Sequence, residues 1–452
     1  MLLGLLACGD GGGGSADAAR PADAGIDGSS GECVKAPNTP KAPTCSASTS
    51  SNIQHLVVLI QENHSFDNYF GKYCTATTGS KPTCTTGPSC CEAAPAMEAS
   101  GQTPALLDDM QNGIHDPNHQ YDCNLDEIHG GLMDRFVVGM EACATAFNFA
   151  VAATDGPVAP YIAYAQQGAI ADRYFQPVVG QSSSNDMYFA RAAFVFKDND
   201  VKTNSIGSTC PAGGNHQDFT DTTVGDLLET CNVTWKWYAE GYAKMKAAVA
   251  GGGCPTREAG CPVGVNSYPC MYDPTDVPFQ YYPALQDDPA HFVDLAAFAT
   301  DVQNGTLPAI SYVKVIGFKT EHPGFFIPIS GGVAAAKAVI DPVLASSTYK
   351  DNTLVLVTYD EGGGYYDHVS PPPTSTIDCQ PYGVRTILIA LGKFARPNHI
   401  SHVTMEHSSL VRFIEWNWFS AQTGHLGQRD STVNNIGDLL DAAKTGTAVP
   451  AD

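Results

Sequence analysis

Two polar pairs in this chain each come directly after an apolar run. Gln61-Glu62-Asn63 succeeds His55-Leu-Val-Val-Leu-Ile60, and Asp360-Glu361-Gly-Gly-Gly364 succeeds Thr353-Leu-Val-Leu-Val-Thr-Tyr359. Either pair alone would serve as an ordinary helix or turn cap. Brought together, their three carboxylates repel one another unless a cation neutralises them. Carboxylate and amide oxygens suit a hard divalent ion better than a thiolate-seeking one. The pattern therefore predicts that Glu62, Asn63, Asp360 and Glu361 ligate a divalent metal ion, with Ca, Mg, Mn and Zn all open.

The elements that must position these pairs are buried strands. Both apolar runs are short and β-branched, as strands covered on both faces are. A third strand is expected over Arg385-Thr-Ile-Leu-Ile-Ala390, and helical spacing recurs over 288–302 and 332–344. Strands alternating with helices predict an α/β fold, a mostly parallel central sheet flanked by helices on both faces. In such sheets ligands bind at the carboxyl edge, where both pairs fall. Residues 52–445 are expected to form one catalytic domain, with Cys-rich loop insertions near 72–118 and 197–275, the second a cap over the site.

The run Glu62-Asn-His-Ser-Phe-Asp-Asn-Tyr-Phe-Gly71 closely resembles the ENxSFDxYFG signature of the bacterial phosphoesterase family, which contains phosphatidylcholine-type phospholipases C and related acid phosphatases. Further matches occur in the family's order: Gly131-Leu-Met-Asp134-Arg-Phe136, Asn304-Gly-Thr-Leu-Pro308, Glu321-His322-Pro-Gly324, Asp367-His368-Val-Ser-Pro-Pro372 and Glu406-His407-Ser-Ser409. The resemblance spans about 53–420 and implies an alkaline phosphatase-like fold. It also implies that Glu62, Asn63, Asp360 and Glu361 are metal ligands and that the nucleophile lies in Gly180-Gln-Ser-Ser-Ser-Asn185. Ser182 is the choice there, as nucleophile and further ligand; relatives often carry Ser or Thr and then His-Pro-Asn, and this chain keeps Asn185.

Contact with the cation would lower the hydroxyl's pKa, so that Ser182 attacks phosphorus and becomes a phosphoserine that water hydrolyses. His119 and His322 fall where the family has active-site histidines, to bind phosphate or protonate the leaving group. His368 and His407 are expected to be supporting residues. Asp276 stands where many relatives have His, so either His291 or His216 substitutes or the site is tuned to another leaving group. The expected substrate is a phosphate ester or a phospholipid. The family's longer phospholipases continue into further β domains, and this shorter chain leans toward a compact phosphatase-like form. The alternative is a lipid-tethered surface binding protein that keeps the fold without turnover.

Composition narrows the setting. With 24 Lys+Arg against 47 Asp+Glu in 452 residues, the formal charge of -23 repels nucleic acid. Leu-Leu-Ala-Cys8 resembles a lipoprotein signal with a truncated start, and Cys8 would carry the lipid tether. The Gly/Ala/Asp/Ser/Thr-rich stretch up to residue 51 is expected to be a flexible linker. The 15 cysteines, without any CxxC pair, suit disulfides in an exported protein, whether periplasmic, a cell-surface lipoprotein or secreted. Walker-type, HExxH, GxSxG and sulfatase CxPxR motifs are absent. Trp235-Lys-Trp237-Tyr238 and Trp416-Asn-Trp418 could face a lipid or choline-like cation, but core packing is the plainer reading.

Overall fold

The structure is a computed structural model that describes residues 39–210, 213–263 and 268–452. Cys8 and most of the expected linker lie outside these residues. Eight strands form the central sheet: β1 His55–Gln61, β2 Ala169–Ala171, β3 Trp235–Ala239, β4 Phe292–Asp294, β5 Ile310–Lys314, β6 Thr353–Tyr359, β7 Leu388–Leu391 and β8 His399–Ser401. Their spatial order is β8-β2-β7-β6-β1-β5-β3-β4. All pairings are parallel except those of β7, which runs antiparallel to β6 and β2.

β1 and β6 are buried along nearly their whole length, and consecutive residues feed different cores. Leu56, Val58 and Ile60 join one apolar cluster, while Val57 and Leu59 join the other. This period-2 division is what a strand covered on both faces requires. One face is covered by helix α1, Ser182–Arg191, and helix α3, His407–Trp418, through Phe189, Leu410, Val411 and Ile414. The other is covered by helix α2, Ile329–Ala345, through Val333, Ala336, Ile340 and Val343. Each such side chain stabilises the fold by roughly 1.5–3 kcal/mol on burial.

Several expectations shift. The third strand is β7, beginning at Leu388 rather than Arg385, because Arg385 turns its guanidinium into an ion-pair network. The stretch 288–302 is not one helix: it holds β4 and then a helix over Ala296–Asn304, and Asp294 Oδ1 accepts from Ala296 N at 3.1 Å where the strand turns into it. The stretch 197–275 is only partly an insertion. Its Trp-Lys-Trp-Tyr segment is β3, paired with β5 and β4 inside the sheet. Aromatic alternation is a weak strand signal, and pairing with two neighbours overrode the loop-like surroundings. Trp235, Trp237, Trp416 and Trp418 are all buried, in accord with packing.

Residues 39–51 are held to the domain by the Cys45–Cys231 disulfide and by Ser51 Oγ donating to Asn417 Oδ1 at 2.6 Å. Cys74–Cys91, Cys84–Cys90, Cys123–Cys143, Cys210–Cys254 and Cys261–Cys270 staple loops, each adding roughly 2–4 kcal/mol. Among the described residues no helix is long and apolar enough to cross a membrane.

Candidate active site

The parallel register of β1 and β6 pairs Gln61 with Tyr359, so the next residues, Glu62-Asn63 and Asp360-Glu361, emerge side by side at the carboxyl edge. Asn63 has φ 66°, an uncommon conformation for a residue with a Cβ, and the turn is fixed by its N–H donating to Asp360 Oδ1 at 3.1 Å. Glu361 N donates to the same oxygen at 2.7 Å. The glycine run reflects crowding: a Cβ on Gly363 would lie 2.2 Å from the Asn63 carbonyl oxygen. Asp360 Oδ2 and Glu361 Oε1 are buried without a hydrogen-bond partner.

Ser182 opens helix α1 after the extended Gln181, and its Oγ donates to Asn63 Oδ1 at 3.4 Å. Ser184 Oγ instead donates back to the Gln181 carbonyl, and Ser183 is fully buried, its N–H held by Asn199. Of the three serines only Ser182 lines the adjoining cleft, whose volume is ≈ 310 Å³ and whose walls include His119 and His322.

Both histidines present Nε2 to this centre. His119 Nδ1 lies 2.8 Å from the Pro117 carbonyl and His322 Nδ1 lies 2.6 Å from that of Pro323. A carbonyl only accepts, so each ring carries its proton on Nδ1 when neutral. Asn63 Nδ2 is 3.1 Å from His322 Nε2 and 3.4 Å from His119 Nε2. His119 Nε2 is also 3.6 Å from Glu361 Oε1, and burial holds its pKa below the ordinary value.

Sequence reasoning missed the strongest charge in the site. Lys314, the last residue of β5, is level with Ile60 of β1 and Ala239 of β3, and is almost completely buried. Its Nζ stands 2.8 Å from Glu62 Oε1, a charge contact rather than a well-directed hydrogen bond, and 3.8 Å from Asp186 Oδ2. Glu62 Oε2 accepts from Tyr268 and, at 2.9 Å, from Thr320 Oγ1. Burial opposes ionisation of Glu62, but Lys314, His322 and the Tyr268 hydroxyl together outweigh it and hold the pKa below the ordinary value. Asp360 is pushed up to about 6 by burial, against the pull of Lys314. Burial, with neighbouring carboxylates, raises Asp186, Asp276 and Glu361 well above the carboxylate range. The available signals were a lysine ending an apolar strand and Asp186 one helical turn after Ser182.

Neither substitute expected for the missing histidine reaches the cleft. His291 stacks on Trp235 at 4.1 Å and lies 3.2 Å from Glu229, while His216 Nδ1 is 2.6 Å from the Thr203 carbonyl. Asp276 itself, with Tyr268, lines the cleft. His407 donates through Nε2 to the Asp360 carbonyl, accepts at Nδ1 from Tyr174 OH, and stacks on Phe189 at 4.2 Å. Burial lowers its pKa to about 3, so it stays neutral while bracing the Asp360 turn.

A second cluster, Asp67, Asp367 and His368, places ligand-type atoms within 4.8 Å of one another. Arg385 already occupies it, with Nε 2.8 Å from Asp367 Oδ1 and a terminal nitrogen 3.0 Å from Asp67 Oδ1, while His368 Nδ1 lies 2.7 Å from Asp67 Oδ2. A protein cation meets its charge. The unpartnered oxygens of Asp360 and Glu361, joined by Asn63 Oδ1 and Ser182 Oγ, are the donor set that fits a hard divalent ion. Glu62, the fifth expected ligand, lines the same cleft; its Oε1 has no hydrogen-bond partner and lies 2.8 Å from Lys314 Nζ, while Oε2 accepts from Tyr268 and Thr320.

A hydroxyl, acidic oxygens and two imidazoles thus meet at the carboxyl edge of the sheet. The phosphoesterase family profile matches residues 53–419, and the chain belongs to that family, whose members hydrolyse phosphoric ester bonds. It is 24% identical over 425 residues to phospholipase C B of Mycobacterium tuberculosis, covering 85% of this chain and 77% of that one. Against the hemolytic phospholipase C of Pseudomonas aeruginosa it is 24% identical over 451 residues, covering 89% of this chain and 58% of the other. A solved alkaline phosphatase superfamily protein from Vibrio parahaemolyticus aligns at TM-score 0.37 and 10% identity, over 89% of this chain and 74% of that one.

Proposed function

We propose that the chain hydrolyses a phospholipid phosphodiester by metal-assisted attack of Ser182. The observation that carries this reading is one cleft lined by Ser182, His119 and His322, with Ser182 Oγ donating to Asn63 Oδ1, Asn63 N donating to Asp360 Oδ1, and the unpartnered Glu361 Oε1 3.6 Å from His119 Nε2. A divalent cation held by Asp360, Glu361, Asn63 and Ser182 would supply charge neutralisation at the phosphate and a lowered pKa for the hydroxyl. Ser182 Oγ, its proton given up to solvent, bonds to phosphorus. The bond from phosphorus to the leaving alcohol breaks, and that alkoxide takes a proton from protonated His119 or His322. Water then attacks phosphorus while giving its proton to that same histidine, and the bond from phosphorus to Ser182 Oγ breaks, which restores both groups to their starting forms.

A phospholipid is favoured by the apolar rim. Phe325 lines the cleft, and beside it Phe326 is 66% exposed, with Phe326 N donating to Gly113 O at 2.8 Å. Met110 and Ile114, one turn apart on the adjoining helix Asp109–Ile114, are 70% and 64% exposed. Such a border suits a leaving alcohol that carries acyl chains. The reading sets the chain outside the cytoplasm, supported by its disulfides, with a tether at Cys8 as a further element.

The test is turnover of phosphatidylcholine, a chromogenic phosphodiester and a chromogenic phosphomonoester, with and without chelator. Chelator-sensitive cleavage of phosphatidylcholine is expected to lead. Preference for the monoester would overturn the substrate, and no turnover of any of the three would favour a binding role.

A further inference from the structure

The cleft beside Ser182 is lined by Glu62, Asp116, Asp273 and Asp276 against one lysine, Lys202. Asp276 differs from the other three. It is only 8% exposed, it walls both this cleft and an adjoining cavity of ≈ 20 Å³, and among the described residues it has no hydrogen-bond or ion-pair partner. Lys314 acts on it as a charge but gives it no hydrogen bond. Its backbone is held in place. Asp276 ends the turn Pro274–Asp276, in which Asp273 Oδ1 accepts from Thr275 N at 2.9 Å and from Thr275 Oγ1 at 2.6 Å, and Val277 and Phe279 anchor the following residues in the core. A buried carboxylate is costly unless a donor meets its oxygens. The fold supplies none here, so the donor belongs to what enters the cleft.

We infer that Asp276 sets specificity for the substituent that stays on phosphorus, and that this substituent carries a primary ammonium, as a phosphoethanolamine headgroup does, rather than a quaternary one. The inference rests on the phospholipid reading and names its headgroup. A primary ammonium donates charge-assisted hydrogen bonds to a carboxylate, and its charge favours the ionised form of Asp276. A trimethylated nitrogen has no hydrogen to donate and is recognised instead by several aromatic faces around it. The cleft does not offer such a box. Besides the two histidines, its aromatic lining is Tyr268 and Phe325, which meet edge to face at 5.8 Å and 76°, and the Tyr268 hydroxyl is committed to Glu62. Asp273 and Tyr268 line both the cleft and the small cavity together with Asp276, so they form the other walls of the ammonium position.

The experiment compares headgroups. Full-length wild type and Asp276→Asn are assayed on phosphatidylethanolamine and phosphatidylcholine of identical acyl chains, in the same detergent micelles and with the same added Mn²⁺. Wild type is expected to favour the ethanolamine lipid in kcat/KM by about tenfold or more, because a site built to hydrogen-bond a group rejects the analogue that lacks it. In Asp276→Asn the ratio should fall to about one, chiefly through a higher KM for the ethanolamine lipid. A wild type without that preference overturns the inference, and so does a variant that keeps it. A second measurement needs no variant and therefore stands even if Asp276→Asn does not fold. Wild type is titrated calorimetrically with phosphoethanolamine, its N-methyl and N,N-dimethyl derivatives, and phosphocholine. The charge is constant across this series while the donors disappear. The largest drop in affinity is expected where the last N–H is lost, and even or absent binding across the series overturns the inference. If neither lipid is cleaved, the phospholipid reading falls, and the affinity series alone decides whether Asp276 marks an ammonium position.

Discussion

The carboxylates around Lys314 and those around Arg385 are made of similar parts and reach opposite states. In the Arg385 cluster every contact is directional: guanidinium nitrogens meet Asp67 and Asp367, His368 meets the second oxygen of Asp67, and Asp367 Oδ2 accepts from Asp67 N at 3.2 Å. Arg385 also lies over the Phe66 ring at 4.5 Å. Around Lys314 one compact ammonium serves several carboxylates, and Asp186, Asp360 and Glu361 keep bare oxygens. The planar fork of arginine saturates its partners, whereas lysine is a point charge that satisfies the sum of charge but not each lone pair. A saturated cluster is a brace for the loops behind the site; an unsaturated one retains capacity to bind.

Three measurements bear on that contrast. The largest expected effect is on chemistry: Ser182→Ala should lower turnover of a phosphodiester by roughly 10⁴-fold with little change in melting temperature. Loss of fold instead of turnover would make Ser182 part of the brace. Next, Arg385→Met leaves Asp67 and Asp367 charged and unpaired, which should cost roughly 3–5 kcal/mol in urea unfolding. The double variant Asp67→Asn with Arg385→Met should recover a substantial part of it. A small cost for Arg385→Met alone would mean that this cluster, too, is under-saturated.

The third effect is smaller and concerns a carboxyl with neutral partners only. Glu321 is fully buried and accepts from Tyr69, Tyr161 and Tyr359 at 2.6 Å and from Gln61 at 3.0 Å. Burial raises its pKa from 4.5 to about 7, the hydroxyls only partly offsetting it. The folded chain therefore holds this proton at pH values where the unfolded chain has released it. Its contribution is greatest below about pH 4.5 and declines by roughly 3 kcal/mol as pH rises to about 7. Glu321→Gln should remove that decline, seen as a flatter difference between variant and wild-type unfolding free energies over this window. An unchanged slope would show that a cation reaches Glu321 after all.

The site divides by how local its causes are. Glu62, Asn63, Asp360 and Glu361 were legible because each pair succeeds a recognisable strand, and parallel strands bring their succeeding residues to one edge. The ENxSFDxYFG run and the Glu321-His322 motif were equally local. β3 was hidden because its residues carry no strong strand pattern and only pairing with β5 and β4 selects it. The antiparallel sense of β7 was hidden for the same reason, since strand direction is a property of the sheet and not of the segment.

Fold class, family and the placement of the two polar pairs were legible within the sequence, because periodicity, strand length and a contiguous motif act over a few residues. Three other features were settled only in the folded chain. Ser182 stands out among adjacent serines because the first turn of helix α1 aims one hydroxyl at Asn63 and turns the others away. Cys45 pairs with Cys231 across 186 positions, a match that spacing does not specify. Lys314 sits among Glu62, Asp186, Asp276 and Asp360 because the charge that balances a buried carboxylate is fixed by distance through the core, not along the chain.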